Sequence, residues 1–492
     1  MIAAIGILVA ALAVGPPGND CDARHLLAQM RQASGGDRWN GVAEIVADGT
    51  VDDAGSSGSF HEARDPKTGR SAFSESLDVG QVTYIYDGKT KWEVDQGGGV
   101  TALDAPDSAA RALTTAYIDS VNFWTHPAQT RCLRPRSEDA KAFDVIRVAP
   151  PGGSAADLWV DRSTYLIDRK VEQWPTTTLT ERYADYRRSD GVMLPYRVTR
   201  QYGDQSGAPV EAVERIRTYR PLTTVRETDF ARPPDPPPGR ISGAQASVPI
   251  SVDHGVTVFD ARIDGRGPFA FTLDPGAQGA LTTVASTPLD LAIGKMNRVM
   301  TIQIGAASID DIDLPVYSGA ATDLFPKRSP GLSPIAGTLG PEILDRFAVR
   351  LDYTSNVMTL APSGSLGCAG TAVAERFVLQ EDDDIPLVHA MVDGHDGLFQ
   401  FDLRAPASLM LFKPFLDRTG VSGSNVVRSL SIGGTTLHGV PTRFLASTAG
   451  KFSSRTEAGV LGSALLSRFV TTIDYRHRSI CFERAAKTAS YP

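Results

Sequence analysis

Apolar and polar positions alternate along much of this chain, and the alternation is that of β-strands. Val82-Thr83-Tyr84-Ile85-Tyr86 runs into a turn at Asp87-Gly88, and Lys91-Trp92-Glu93-Val94 resumes beyond it. Phe143 to Val148 runs into Pro150-Pro151-Gly152-Gly153. Leu158-Trp159-Val160 is followed by a turn and by Tyr165-Leu166-Ile167. Thr178 to Tyr186 leads to Asp190-Gly191, from which Val192 to Val198 returns. Helical spacing is rarer. Leu26, Leu27 and Met30 share one face of a segment that Gly35-Gly36 ends, and a second helix is expected near Ser108–Val121. Residues 22–230 therefore read as an antiparallel meander with two helices, an α+β domain.

Ala231 to Gly239 reads ARPPDPPPG, with five prolines in nine residues. Proline fits neither a helix interior nor a central strand. An extended, semi-rigid linker is expected over 231–245.

Beyond the linker one pattern occurs twice. Ile263-Asp264-Gly265 precedes Phe271-Thr272-Leu273-Asp274, and Val392-Asp393-Gly394 precedes Phe399-Gln400-Phe401-Asp402. Ile302-Gln303-Ile304-Gly305 matches Leu430-Ser431-Ile432-Gly433, and Ile304 to Ile432 spans the same 128 positions as Asp274 to Asp402. The segments Leu339–Tyr353 and Leu461–Tyr475 share seven identities over 15 positions without a gap. Each copy predicts a strand delivering an Asp to a turn, then an apolar strand ending in Gly. A short helix (Pro341 to Arg346, Ser463 to Arg468) and a final Asp-Tyr strand follow. One such unit buries one face only. Two units related by a pseudo-twofold axis bury each other and bring Asp274 and Asp402 together.

Composition narrows the function. The chain has 492 residues, 42% of them hydrophobic, and a net charge of -8 with the charges mixed along it. No basic run suggests a nucleic-acid groove, so that partner is excluded. The apolar run at 2–15 is shorter than the ~20 residues of a membrane span. Ala11-Leu12-Ala13 supplies a small-x-small cleavage site, so 1–20 is expected to be a signal peptide. No Lys or Arg precedes the run, which keeps a short membrane anchor as the alternative. Two of the four cysteines lie in each half, none in a Cys-x-x-Cys. In an exported protein, periplasmic or extracellular, Cys21 is expected to pair with Cys132 and Cys368 with Cys481. Four buried thiols are the alternative.

Other chemistries find little support. The eight histidines form no His-Glu-x-x-His and no close pair, and there is no Gly-x-Ser-x-Gly elbow. Gly88-Lys89-Thr90 copies the end of a phosphate loop but reads as a hairpin turn. Glu381-Asp382-Asp383-Asp384 reads as a solvated turn rather than a calcium site. No cofactor or metal is expected.

The apolar-apolar-Asp turns at Asp274 and Asp402, the Leu339-Gly340 and Leu461-Gly462 steps, and the Leu-Asp-Tyr and Ile-Asp-Tyr strands resemble the retropepsin/pepsin family of aspartic peptidases. The likeness is greatest to bacterial exported retropepsin-like proteins and covers roughly 246–484. It implies a mainly β, bilobal fold with lobes at 246–365 and 366–492, and a peptide or protein substrate in the cleft between them. It also implies that the two carboxylates share one proton, the ionised one activating water and the protonated one polarising the peptide carbonyl. The family's turns read Asp-Thr/Ser-Gly. Here they read Asp274-Pro275-Gly276-Ala277 and Asp402-Leu403-Arg404-Ala405. Pro275 has neither hydroxyl nor N–H. Arg404 adds a Cβ where the turn is expected to want glycine, and a guanidinium facing the pair would favour both carboxylates ionised. Three readings stand: a working dyad in an endopeptidase, a pseudopeptidase that keeps the cleft and binds peptides or lipidic ligands, and a purely structural pair. Asp352 and Asp474 are read as structural. The segment 294–303 lies where the family places its flap.

Leu158-Trp159-Val160-Asp161, Thr164-Tyr165-Leu166-Ile167 and Asp190-Gly191-Val192-Met193-Leu194-Pro195 resemble the lipoprotein-carrier (LolA/LolB-like) half-barrel. This implies a curved sheet around a helix, with a concave face that binds an apolar ligand. A filled interior is the alternative.

Overall fold

The computed structural model describes residues 21–126, 129–204, 206–317, 325–370, 372–380, 383–423 and 425–485. The expected signal peptide at 1–20, and Glu381 and Asp382 of the acidic run, lie outside the described residues. The chain is mainly β, as its alternation predicts.

The first helix, Ala23–Ser34, starts where the Asp22 side chain accepts a hydrogen bond from the Arg24 N–H at 2.9 Å. It ends at Gly35, whose φ of 134° suits a residue without Cβ. Leu26, Leu27 and Met30 are its buried face. The second helix, Pro106–Asp119, opens on proline, whose missing N–H costs nothing there. Among the described residues, fourteen strands from Glu44 to Leu222 form one antiparallel sheet. Its seam joins the first long strand, Glu44–Asp53, to the last, Pro209–Leu222, and neighbours continue outward on both sides. The sheet and helix Pro106–Asp119 together line one cavity. Tyr165 and Leu166 belong to the turn and not to a strand, which starts at Ile167. The Asp161 carboxylate accepts from the N–H groups of Ser163 and Thr164 and holds that turn wide.

The second sheet runs from Arg240 to Arg484. Its two copies are built alike. In one, Arg266–Leu273 pairs parallel with Ile335–Leu339, Phe271 beside Gly337 and Leu273 beside Leu339. In the other, His395–Asp402 pairs parallel with Glu457–Gly462, Phe399 beside Gly459 and Phe401 beside Leu461. Ala348–Asp352 and Phe469–Asp474, the Asp-Tyr strands, pair antiparallel across the pseudo-twofold axis. One apolar cluster runs continuously through both copies, with Phe271, Phe347, Phe399 and Phe469 inside it.

Both disulfides form as expected, Cys21–Cys132 and Cys368–Cys481, which suits an oxidising, exported compartment. No helix among the described residues is long and apolar enough to cross a membrane. The proline segment is strapped down rather than free. Pro236 O accepts from Arg476 at 2.6 Å, and the Arg232 guanidinium lies 4.7 Å over the Trp92 ring. The segment 294–303 is no free flap either. Met296–Ile304 pairs with Ala307–Pro315, and its start is tied to the first sheet by Met296 N–H to Asp78 O at 2.8 Å.

Candidate functional site

The two Asp turns have the same skeleton. The Asp274 carboxylate accepts from the Gly276 N–H at 3.1 Å, and the Asp402 carboxylate accepts from the Arg404 N–H at 2.7 Å and the Ala405 N–H at 3.0 Å. Each turn presses on the glycine of the facing strand. A Cβ on Gly340 would fall 1.9 Å from Asp274 O, and one on Gly462 would fall 2.2 Å from Ala407 O. The glycine position itself is decided by space rather than by φ. Arg404 needs no positive φ, which corrects the expectation that the turn there requires glycine. Gly276 has no such room, because a Cβ would sit 1.9 Å from Ile385 Cγ1. Pro275 O accepts from the Tyr475 hydroxyl at 3.1 Å, so a tyrosine crosses between the copies where no threonine hydroxyl is available. Leu403 is fully buried in the core, and Ala405 O is held by the Ser463 N–H at 2.8 Å and its hydroxyl at 3.0 Å. Ala277 closes the first turn by donating its N–H to Asp274 O at 3.4 Å.

Arg404 faces the carboxylates. Its Nη1 lies 2.9 Å from Asp274 Oδ2. Asp274 and Asp402 are only 5% and 8% exposed, so little water reaches either. Burial pushes the Asp274 carboxyl above its ordinary range, the guanidinium offsets only part of that push, the Asp402 charge adds to it, and the net direction is upward. Both Asp274 oxygens are engaged, Oδ1 by Gly276 and Oδ2 by Arg404. A shared-proton dyad needs one of those oxygens to hold the attacking water. Asp352 and Asp474 accept turn hydrogen bonds, from Thr354 and Ser355 N–H and from Gly364 and His477 N–H respectively.

The first half reaches this region. The hairpin of Lys91–Val94 and Val100–Ala102 inserts its tip beside the Gly279 end of the Asp274 turn. Gln96 Nε2 donates to Gly279 O at 2.5 Å, and Arg346 Nη2 donates to Gly97 O at 2.5 Å. Three carboxyls meet there. Glu342 accepts from the Gly279 N–H at 2.6 Å and the Gly340 N–H at 3.1 Å, and Asp95 accepts from the Gly99 N–H at 2.7 Å. Asp345 is buried beside them, and its Oδ2 has no hydrogen-bond partner among the described residues. Burial raises all three; the Asp95 charge adds to the push on Glu342, and the Asp95 and Glu342 charges add to that on Asp345, with Glu342 pushed up to about 7.

A second site lies inside the first sheet. A cavity of about 680 Å³ is walled by aromatic rings and charged groups together. Lys170 Nζ lies 2.6 Å from Glu181 and 3.2 Å from Glu172, and Arg200 pairs with Glu181 at 3.0 Å and with Glu214. Those two cations hold the Glu181 carboxyl down to about 2 against the effect of burial. Sequence reasoning did not single out these residues. On an alternating strand a charged residue reads as solvent-facing, and here that face turns inward. The buried Glu457, which accepts from Gln380 and Gln400 at 2.5 Å each, was missed for the same reason. Among the described residues no group of three His, Cys, Asp or Glu side chains is arranged to hold a metal.

No family model and no curated protein matches the chain. Low likenesses exist among solved structures. A DUF1329 family protein from Desulfovibrio piger aligns with 42% of this chain and 95% of its own, at 11% identity and a TM-score of 0.30. A LolA superfamily protein from Nitrosomonas europaea aligns with 42% and 97%, at 14% identity and a TM-score of 0.30. An aspartic proteinase from Irpex lacteus aligns with 50% and 99%, at 12% identity and a TM-score of 0.35.

Proposed function

We propose that this chain is an exported binding protein. Its C-terminal half is an aspartic-peptidase-like pair of lobes held in a non-hydrolytic state, and its N-terminal half carries the ligand cavity. In this reading the division falls at the proline segment, with 22–230 as the binding domain, 246–365 and 366–492 as the lobes, and Asp274 and Asp402 as the remnant of a dyad. The observation that carries it is the ion pair of Arg404 on Asp274 Oδ2, at 2.9 Å. A fixed cation at that oxygen occupies the place of the attacking water and works against protonation of Asp274, although burial still holds that carboxyl above its ordinary range. Pro275 and Leu403 also supply no hydroxyl to lock the turns. The cavity favours binding, because it is large enough for a small amphipathic molecule and is lined by groups of both kinds.

The test is hydrolysis of an unfolded protein and a mixed peptide pool from pH 3 to 7 by the full chain, beside Asp274→Asn and Asp402→Asn. No cleavage is expected from any of the three. Cleavage by the native chain that both substitutions abolish would overturn the reading in favour of an aspartic endopeptidase.

A further inference from the structure

The cavity of the N-terminal half carries more information than its size. Several of its cations are already placed on ring faces. Arg200 lies 5.5 Å from the Phe73 ring centroid, Lys91 4.8 Å from that of Tyr84, and Arg111 4.6 Å from that of Trp174. The wall is thus built from surfaces that attract positive charge. Most of the buried charges pair among themselves. Arg111 pairs with Asp107, Lys170 with Glu172 and Glu181, and Arg200 with Glu181 and Glu214.

Three lining carboxylates have no ion pair among the described residues; Asp204 is taken up by its own turn, accepting from the N–H groups of Ser206 and Ala208, which leaves Asp53 and Glu75. Glu75 makes no ion pair and no hydrogen bond among the described residues, and Asp53 accepts only from the Tyr202 hydroxyl, at 3.0 Å. The groups acting electrostatically on Glu75 are Asp53, Arg200 and Glu214, and Arg200, the one cation among them, is committed to Glu181 and Glu214. The remaining lining cations sit elsewhere. Lys91 places its ammonium over the ring of Tyr84, which faces Phe73, two residues along the strand from Glu75, and it is not among the groups acting on Glu75. Lys451 lies over the Phe452 ring.

We infer that this cavity binds an organic cation with an apolar body, its ammonium group seated between Asp53 and Glu75 and its apolar part against the aromatic wall. The inference rests on the binding reading above. An incoming ammonium supplies the counter-charge that Asp53 and Glu75 lack. Tyr202, whose hydroxyl reaches Asp53 and which carries no protein cation over its ring among the described contacts, flanks it. A neutral or anionic amphiphile would leave both carboxylates uncompensated and gain only the apolar contact. Burial and the Asp53 charge push the Glu75 carboxyl up to about 7, so the receptor charge is complete above neutrality and declines in acid.

The experiment is titration calorimetry of the full chain at pH 8 with three probes of one chain length: decyltrimethylammonium, decanol and decanoate, each kept below its micelle concentration. Decyltrimethylammonium should bind about tenfold or more tighter than decanol, with decanoate weakest. Its affinity should fall severalfold at pH 5.5, where Glu75 is protonated. Glu75→Gln with Asp53→Asn should remove the preference for the cation over decanol. Equal or tighter binding of decanol or decanoate by the native chain overturns the cation assignment and leaves the binding reading standing. Binding of none of the three overturns both. A preference that survives in the folded double variant overturns the assignment to these two carboxylates.

Discussion

The two halves of this molecule fill their interiors in opposite ways. The C-terminal half buries phenylalanines and aliphatics in one continuous cluster through both copies of its repeat. The N-terminal half has two smaller apolar clusters, and beside them a cavity with Lys170, Glu172 and Glu181 in its wall. Dispersion and area burial make the first interior rigid. The second retains charges that hold one another ionised against burial, as Lys170 and Arg200 do for Glu181. An interior that gives up packing to keep charge is the one expected to bind something. An interior that gives up its turn hydroxyls to keep packing is expected to serve as scaffold.

If that contrast holds, the largest effects come from crowding the tight half. Gly340→Ala places a Cβ 1.9 Å from Asp274 O, and Gly462→Ala places one 2.2 Å from Ala407 O. Both obstacles are backbone atoms, which cannot swing aside. Each substitution should cost about 3 kcal/mol, read by urea unfolding. Equal costs would show that the two copies are mechanically equivalent. A harmless change in one copy would break the symmetry on which the repeat rests.

The next effect belongs to the boundary between the halves. Asp95, Glu342 and Asp345 all have folded pKa values raised by burial, and carboxyl repulsion adds to it at Glu342 and Asp345. A raised carboxyl binds its proton more tightly in the folded state. Its contribution is therefore fully present below the unfolded value near 4 and is lost as pH rises through the folded value. Stability should fall by about 2 kcal/mol between pH 4.5 and 7.5, the window set by the Glu342 value of about 7. Glu342→Gln should flatten that slope in a thermal melt run across the same range. A slope that stays as steep would assign the pH dependence to other groups.

How much of this was legible in the sequence depends on whether the signal was periodic or directional. The repeat was legible because seven identities at fixed spacing mark two equal units, and the parallel pairings beside Leu273 and Phe401 follow that spacing. The cysteine pairs were legible because each half holds two. The heading of Arg404 was not, since a one-letter string says nothing about where a side chain points. Nor was the docking of Gln96 on Gly279, which joins residues 183 positions apart through a turn and a hairpin tip. The buried charges were hidden because alternation reports which residues share a face and not which face turns inward.

Arg404→Ala sharpens the contrast at the Asp pair. It removes the cation from a buried carboxyl, so Asp274 should cost about 1–2 kcal/mol at pH 7, allowing for the partial exposure of Arg404. Because the remaining carboxyl is easily protonated, the loss should nearly vanish at pH 4. Denaturation at both values checks it, and a loss that did not depend on pH would mean that Arg404 acts by packing.

The smallest effect is the most telling for the open half. Glu75 has a folded pKa raised to about 7, so the charged form costs the protein stability above the unfolded value near 4.5. Glu75→Gln should therefore leave stability unchanged at pH 4 and raise it at pH 8. The gain should be at most about 1 kcal/mol, because the side chain still meets solvent in the cavity. A packing residue behaves otherwise, since its loss costs stability at every pH. Thermal melts at the two pH values separate these cases. A gain confined to high pH would mean that the cavity holds a charge the fold alone does not need, whereas a loss at both would make Glu75 part of the scaffold and erase the distinction between the halves.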